Sequence, residues 1–308
     1  MPGPAVVPPG AAPVTLFLAS LGFGLVTASV LAIAAVGFTL QFGVTDVLNL
    51  AYGAIMIFGA FVAYAVNSAG YSVWLGLVAA VIACSLLSTL LNSGVYTPFQ
   101  RRGASPITLV IVSLGMTLII EFGVQAVAGG VAVSYTMGQG PTFTAGGLTL
   151  TGLQLGIIAT SVVVMAGVHL LLRYTKLGKA MRATATDPDL ARNCGIATDR
   201  VIDIAWAISG ALCGLAGVIL VMNVTAFTDT TGSEFLIPIV AVAVLGGIGQ
   251  PYGAMLGALV IGIASEVAAA IFNPEYKDVV AFVILVIVLL ARPQGILSEV
   301  ATRKEVAA

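Results

Sequence analysis

Long apolar stretches separated by short polar ones run along the whole chain. Runs of about twenty apolar residues, the length that crosses a bilayer as a helix, lie near 16–40, 49–66, 73–96, 106–128, 153–172, 201–224, 235–249, 255–272 and 279–291. A lipid-exposed backbone must satisfy its own hydrogen bonds, so a span is either a helix or part of a closed barrel. Runs without two-residue alternation exclude the barrel. Some of the later runs are short for a full crossing, and Gly246, Gly247, Gly249 and Pro251 interrupt the pair around position 250. The pattern predicts an all-α polytopic membrane protein with eight or nine transmembrane helices.

Composition agrees. Of 308 residues, 59% are hydrophobic and 8% charged, where a soluble domain carries about a quarter charged residues. The net charge of −1 leaves no basic stripe for a phosphate backbone, which argues against nucleic-acid binding. Cys84, Cys194 and Cys213 are too few and too scattered for a disulfide framework or a spaced metal site, and read as small apolar fillers. His169, the single histidine, has no second ligand at metal spacing and reads as a satisfied or interfacial side chain. No metal or cofactor is expected.

Cations gather on cytoplasmic loops, and the first in the chain is Arg101. With Arg102 it follows the third run. Arg173, Lys176, Lys179, Arg182, Arg192 and Arg200 lie between the fifth and sixth, and Arg292, Arg303 and Lys304 follow the last. Even numbers of spans separate the three groups, so all three are expected in the cytoplasm and the amino terminus outside. Residues 1–13 carry four prolines among the first nine positions and neither Lys nor Arg. They lack the charged start of a cleaved secretory signal and are read as a short disordered external tail. Residues 14–291 are expected to form the transmembrane domain and 292–308 a cytoplasmic tail.

Two polar stretches have content. Within 134–152, the segment 141–151 alternates apolar and Thr residues about Gly146-Gly147, the signature of a short β-hairpin, expected on the external face. The other is the cytoplasmic segment 174–200. There Asp187 can accept from free amides and Pro188 suits the first helical position, while Gly195 can take the left-handed conformation that closes a helix. A short capped helix between two spans follows. A plain connector and a docking element both fit this local chemistry, and the small, cationic run Gly178-Lys179-Ala180-Met181-Arg182-Ala183 before it favours close docking.

Thr175-Lys176-Leu177-Gly178-Lys179-Ala180-Met181-Arg182-Ala183, followed by Asp187, Ala191 and Gly195-Ile196, strongly resembles the cytoplasmic loop of permeases of branched-chain amino-acid ABC importers, the Liv-type H subunit in particular. Two further stretches resemble the same family. One is Gly43-Val44-Thr45-Asp46-Val47-Leu48-Asn49-Leu50-Ala51-Tyr52-Gly53 with Met56 and Gly59-Ala60; the other is Leu245-Gly246-Gly247-Ile248-Gly249 with Gly253-Ala254 and Gly257-Ala258. The three occur in order over nearly the whole chain. The resemblance implies a cytoplasmic coupling helix seated in an ATPase subunit, carried by Gly178, Lys179, Arg182, Ala183, Asp187, Pro188, Ala191, Arg192 and Gly195. It also implies two ATPase subunits, a second related permease subunit in a heterodimer or homodimer, an external solute-binding protein, and a bacterial or archaeal plasma (inner) membrane. Tyr52 departs from the pattern, where His or Gln is more usual beside the Asn.

Asn49, Gly53 and Ala60 fall near one helical face, and Gly253 and Gly257 make a GxxxG pair. Small faces let helices approach closely in lipid, so Gly53, Gly59, Gly253 and Gly257 read as packing positions. Asn49, whose buried amide needs partners or water, is a candidate for the solute path together with Tyr52. Glu121 and Glu266 lie within spans, where an acid faces the bundle interior or a wet cavity. Glu121 either lines the path or bonds to a neighbouring helix. Asp46 reads as a cap of the second span. The Tyr-Gly-Ala shared by positions 52–54 and 252–254 is either a repeat trace or coincidence.

Gly247-Ile248-Gly249 is not a nucleotide loop, and no GxxxxGK[ST] occurs, so the energy must come from a partner. Three functions compete. A permease subunit of an ABC importer fits best, with branched-chain amino acids as the expected cargo and urea, short amides or other amino acids as alternatives. A secondary transporter needs ion sites at broken helices and gives no reason for a capped cytoplasmic helix. An intramembrane hydrolase needs paired Asp, a Ser with a base, or HExxH, and none is present.

Overall fold

The computed structural model describes residues 13–136, 140–145, 148–224, 226–271, 276–291 and 295. Within them the chain is a helical bundle: α1 (Pro13–Thr45), α2 (Tyr52–Ser68), α3 (Val73–Leu91), a π-helical turn (Asn92–Tyr96) running on into α4 (Thr97–Arg101), and α5 (Pro106–Ala128). A two-stranded antiparallel pair follows, β1 (Thr142–Ala145) with β2 (Leu148–Thr151), Thr142 opposite Thr151. Then come α6 (Gly152–Tyr174), α7 (Lys176–Thr186), α8 (Pro188–Asn193), α9 (Thr198–Asn223), α10 (Thr231–Gly246), α11 (Pro251–Ile271) and α12 (Lys277–Ala291).

Six of the helices are long and apolar enough to cross a membrane, and three shorter apolar ones accompany them, Tyr52–Ser68, Thr231–Gly246 and Val279–Val288. Local chemistry sets their starts. Ser72 accepts from the Leu75 amide ahead of α3, and Ser105 from the Thr108 amide ahead of α5, where Pro106 takes the first position. Thr151 and Gln154 form a reciprocal capping box at α6, satisfying amides that no helical carbonyl reaches.

The bundle is built around α1 and α9. In each, 72% of the central apolar window is buried, against 22% in α5 and α6, whose apolar side chains, such as Ile107, Ile111, Val162 and Val163, point outward. Such a surface suits lipid rather than water. Small residues allow the central approaches: a side chain at Gly214 would collide with Ala80 and Cys84 of α3, and one at Gly217 with Met56 of α2. The α10–α11 hairpin is tighter still. Gly246 and Gly253 face one another so closely that a side chain on either would enter the other's backbone. Pro251 opens α11, where its missing amide has no helical partner to lose.

The two ends of the bundle are distinct. At ~1.5 Å rise per residue, the 23 residues of α6 hold the β1–β2 pair and α7 about 35 Å apart. Arg101 and Arg192 both reach Asp199, at 3.6 and 3.2 Å. The end of α4, the end of α8 and the start of α9 therefore meet at one pole, here the cationic end, and the strand pair lies at the other. Near the strands, Val133 and Phe227 pair backbone to backbone, and Phe61, Tyr64 and Tyr135 pack edge-on around the Phe227 ring. Burial holds the Tyr135 phenol well above its ordinary pKa, so it remains a donor, here to the Ala60 carbonyl at 2.9 Å.

Three expectations change. Asp46 does not cap the second span. It is the only described non-glycine residue with positive φ, +52°, and its amide bonds Phe42 O, so it closes α1. The second helix starts at Tyr52 rather than Asn49, behind Ala51, which offers no side-chain cap. Cys194 is exposed instead of filling a core. Residues 1–12, Gly146-Gly147 and the tail 292–308 apart from Gly295 lie outside the described residues.

Candidate functional site

The polar groups of the bundle interior concentrate where α1 gives way to α2. The non-helical junction 46–51 places Asn49 1% exposed, with Oδ1 accepting from the Tyr96 hydroxyl at 2.9 Å and from the Ala51 amide at 3.1 Å. Tyr96 belongs to the π-helical turn and packs its ring against Trp206 of α9, centroids 4.9 Å apart. Such turns free backbone and re-aim side chains, and they recur at functional positions. In the same turn, Asn92 donates to Asp203 Oδ1 at 2.8 Å.

Tyr52 is buried at the first position of α2. Its ring lies edge-on to Phe38, and its hydroxyl fills the space left by Gly37 on α1. Cys213 of α9 donates its thiol to the Tyr52 carbonyl at 3.2 Å. One helical turn earlier, Ser209 donates to Gln41 Oε1 at 3.0 Å. Asn49 Nδ2, Gln41 Nε2 and Trp206 Nε1 are buried without a hydrogen-bond partner. An unpaired buried donor costs about 1–3 kcal/mol, so three of them around one junction mark a place where folding alone does not explain the residues.

The structure separates Glu121 from this cluster. It lies on α5 and accepts a hydrogen bond from Ser233 of α10, so it bonds a neighbouring helix. Gly53 faces Gly232 of α10, Gly59 faces Cys84 and Gly214, Gly253 faces Gly246, and Gly257 faces Val242 and Leu245. All four lie at helix contacts. His169, on α6, shares a hydrogen bond with the Tyr252 hydroxyl at 3.1 Å.

At the cationic end the segment after α6 forms two helices where the sequence pointed to one. Thr175 caps α7, accepting from the Gly178 amide at 3.0 Å. Gly178 is wedged against the last carbonyls of α6, those of Leu171 and Leu172, and Arg182 donates to Leu172 O. Gly178, Met181 and Thr184 face inward, Ala183 is half-buried, and Lys179 and Arg182 face out. Asp187 caps α8, accepting from the amides of Asp189 at 3.1 Å and Leu190 at 3.0 Å, with Pro188 in the first turn. Ala191 is buried, Arg192 bonds Thr198 and Asp199, and Gly195 has φ +86°. The sequence reading missed Leu190, an apolar side chain 60% exposed on α8. Its neighbour Ala191 holds the buried side, and that alternation was the available signal.

A lipid-faced bundle with a buried polar junction and a two-helix element at one end is a multi-pass membrane transport component. The chain belongs to the branched-chain amino acid transport system / permease component family, whose pattern it matches over residues 20–289. It is 30% identical over 298 residues to the high-affinity branched-chain amino acid transport system permease protein LivH of Escherichia coli (strain K12), covering 91% of this chain and 95% of that one. It is 29% identical over 286 residues to the probable branched-chain amino acid transport permease protein LivH of Methanocaldococcus jannaschii, covering 88% and 90%. Among solved structures, PsaBC from Streptococcus pneumoniae in complex with Fab matches with TM-score 0.50 at 12% identity, over 88% of this chain and 91% of that one, a likeness of fold alone.

Proposed function

We propose that this chain is the transmembrane permease subunit of an ABC importer that moves branched-chain amino acids inward on ATP hydrolysed by partner subunits. The observation that carries the reading is the α7–α8 element. It is anchored to α6 through Gly178 and to α9 through Arg192 and Asp199, while Leu190, Lys179 and Arg182 stay exposed. A rigidly anchored element with an open apolar and cationic face is what transmits a rigid-body movement from a soluble partner. In this reading Gly178, Lys179, Arg182, Ala183, Asp187, Pro188, Ala191, Arg192 and Gly195 form the coupling element. The cationic end lies in the cytoplasm, the β1–β2 pair lies outside, and the apolar helices make eight or nine crossings of a bacterial or archaeal plasma membrane. Asn49 and Tyr52 gate the solute path, and Glu121 holds α5 to α10 away from it.

The partners are two ATPase subunits, a second related permease subunit and an external solute-binding protein. The test is reconstitution of the complex in liposomes. Leucine uptake should require ATP and the binding protein and ignore imposed ion gradients; uptake driven by a proton or sodium gradient without ATP would replace this reading with a secondary transporter.

A further inference from the structure

Apart from the junction and the coupling element, the described part of the bundle contains a cavity of about 320 Å³ between α1, α9, α10, α11 and α12. It lies toward the strand-pair end, because α10 starts just after Phe227. One pole is charged. Glu266, its side chain only 13% exposed, accepts from Lys277 Nζ at 2.6 Å and from Thr27 Oγ1 at 2.8 Å, both on Oε1. Glu234, in the first turn of α10, adds a second carboxylate. Apolar side chains, Val30, Leu31, Leu220 and Ile261, also line it.

Pro238 also lines the cavity. It lies inside α10, and having no amide hydrogen it leaves the carbonyl of Glu234 without its helical donor. α10 runs on as a continuous helix through Pro238, and a carbonyl released in this way can accept from a cationic group. Ionisable groups inside a span are costly and are kept for function. An apolar pair of similar volume would serve stability as well or better.

The other large cavities differ. The 640 Å³ space between α2, α3 and α5 is walled mainly by apolar side chains such as Phe58, Phe61 and Ile119. The 880 Å³ cleft at the cationic end is lined by Arg101, Arg102, Arg192, Asp199 and Asp203. The α1–α12 cavity differs from that polar-end cleft in lying among the apolar helices, with both signs of charge beside apolar side chains at a volume suited to a small molecule.

We infer that this cavity is a binding site for a zwitterionic amino acid with an apolar side chain. The solute ammonium is received by Glu234, its carbonyl and Glu266, the carboxylate by Lys277, and the side chain by Leu31, Leu220 and Ile261. The identity of the solute rests on the permease reading above; the chemistry of the cavity stands independently of it.

The test is leucine uptake by the reconstituted complex, with solute-free ATP hydrolysis and complex yield measured alongside. Lys277→Met and Glu266→Gln should each reduce uptake roughly tenfold, because each removes one member of a part-buried charge pair whose Lys277 is 41% exposed. The double variant Glu266→Leu/Lys277→Met should stay inactive in uptake at wild-type yield. Leu31→Ala should move preference from leucine toward phenylalanine. Recovery of uptake in the double variant, or an unchanged leucine-to-phenylalanine ratio in Leu31→Ala, would show that the pair only holds α11 to α12 and would overturn the site. If the wild-type complex itself takes up no amino acid, the permease reading fails instead, a different result from variants that match an active wild type.

Discussion

The Tyr96 hydroxyl donates to Asn49 Oδ1 across 2.9 Å, tying the π-helical turn after α3 to the non-helical junction between α1 and α2. Because α4 continues from that turn to Arg101, and Arg101 reaches Asp199 beside the end of α8, the bond lies on a continuous route from the coupling element to the bundle interior. If the proposed coupling role holds, movement at the cationic end should reach Asn49 by this route. The expected result of Asn49→Leu is uptake lowered roughly tenfold with complex yield unchanged. It removes an Nδ2 that is already buried without a partner, which offsets part of the cost, about 1–3 kcal/mol each, of leaving the Tyr96 hydroxyl and the Ala51 amide without an acceptor. Tyr96→Phe, which keeps the ring against Trp206, should have the same sign and a smaller size. Full uptake by Asn49→Leu would reduce the junction to packing.

The three cysteines report topology without any engineering. Cys194 is exposed beside α8, whereas Cys84 and Cys213 are buried and bonded to the carbonyls of Ile55 and Tyr52. A membrane-impermeant thiol reagent should leave intact cells unlabelled and should modify one cysteine per chain in inside-out vesicles, with Cys194→Ser abolishing the signal. Labelling of Cys194 from outside intact cells would invert the orientation.

What could be read from sequence followed from what is local. Each apolar run lands on an apolar helix, and Asp187, Pro188 and Gly195 write the ends of α8, because capping chemistry and bilayer length need no tertiary knowledge. The sequence shows α7 only as a small, cationic run around Gly178, without an apolar stripe long enough to announce a helix. Its inward positions Leu177, Met181 and Thr184 nonetheless follow helical spacing, and the glycine is there because α6 leaves no room for a side chain. Asp46 misled because the same side chain suits an N-cap and a left-handed C-terminal residue. The bond between Glu266 and Thr27 joins positions 239 residues apart, and that between Ser233 and Glu121 spans 112. Such pairs are set by helix packing and leave no mark on either neighbourhood.

Glycines in this chain should divide sharply by what they face. Gly253 sits against the Gly246 backbone, while Gly115 on α5 has nothing within 4 Å. Gly253→Leu must therefore force α10 and α11 apart and should cost several degrees of thermal stability in detergent, along with most of the complex yield. Gly115→Ala should be neutral or slightly stabilising, since alanine in a helix is favoured over glycine by about 1 kcal/mol. Equal melting temperatures for the two variants would mean that the α10–α11 approach is looser than described.

Coupling is best probed on the exposed side of α8. Gly178→Trp is a poor test, because any side chain there meets the Leu171 and Leu172 carbonyls and unseats α7 from α6 before a partner is involved. Leu190 is 60% exposed, so Leu190→Asp removes an apolar contact surface without disturbing the bundle. Asp187→Ala removes the side chain that accepts from the Asp189 and Leu190 amides, at about 0.5–2 kcal/mol of local helix stability. Both changes lie outside the apolar helices, so insertion and protein level should match wild type. Solute-stimulated ATP hydrolysis and uptake should fall together, and Leu190→Asp should also weaken co-purification of the ATPase subunits, since one buried leucine contributes roughly 1.5–3 kcal/mol at an interface. Asp187→Asn, which keeps a capping oxygen, should recover most of the activity lost in Asp187→Ala. Normal ATP-driven uptake by the Leu190→Asp/Asp187→Ala double variant would remove α8 from the coupling element, leaving the buried junction at Asn49 to be explained without it.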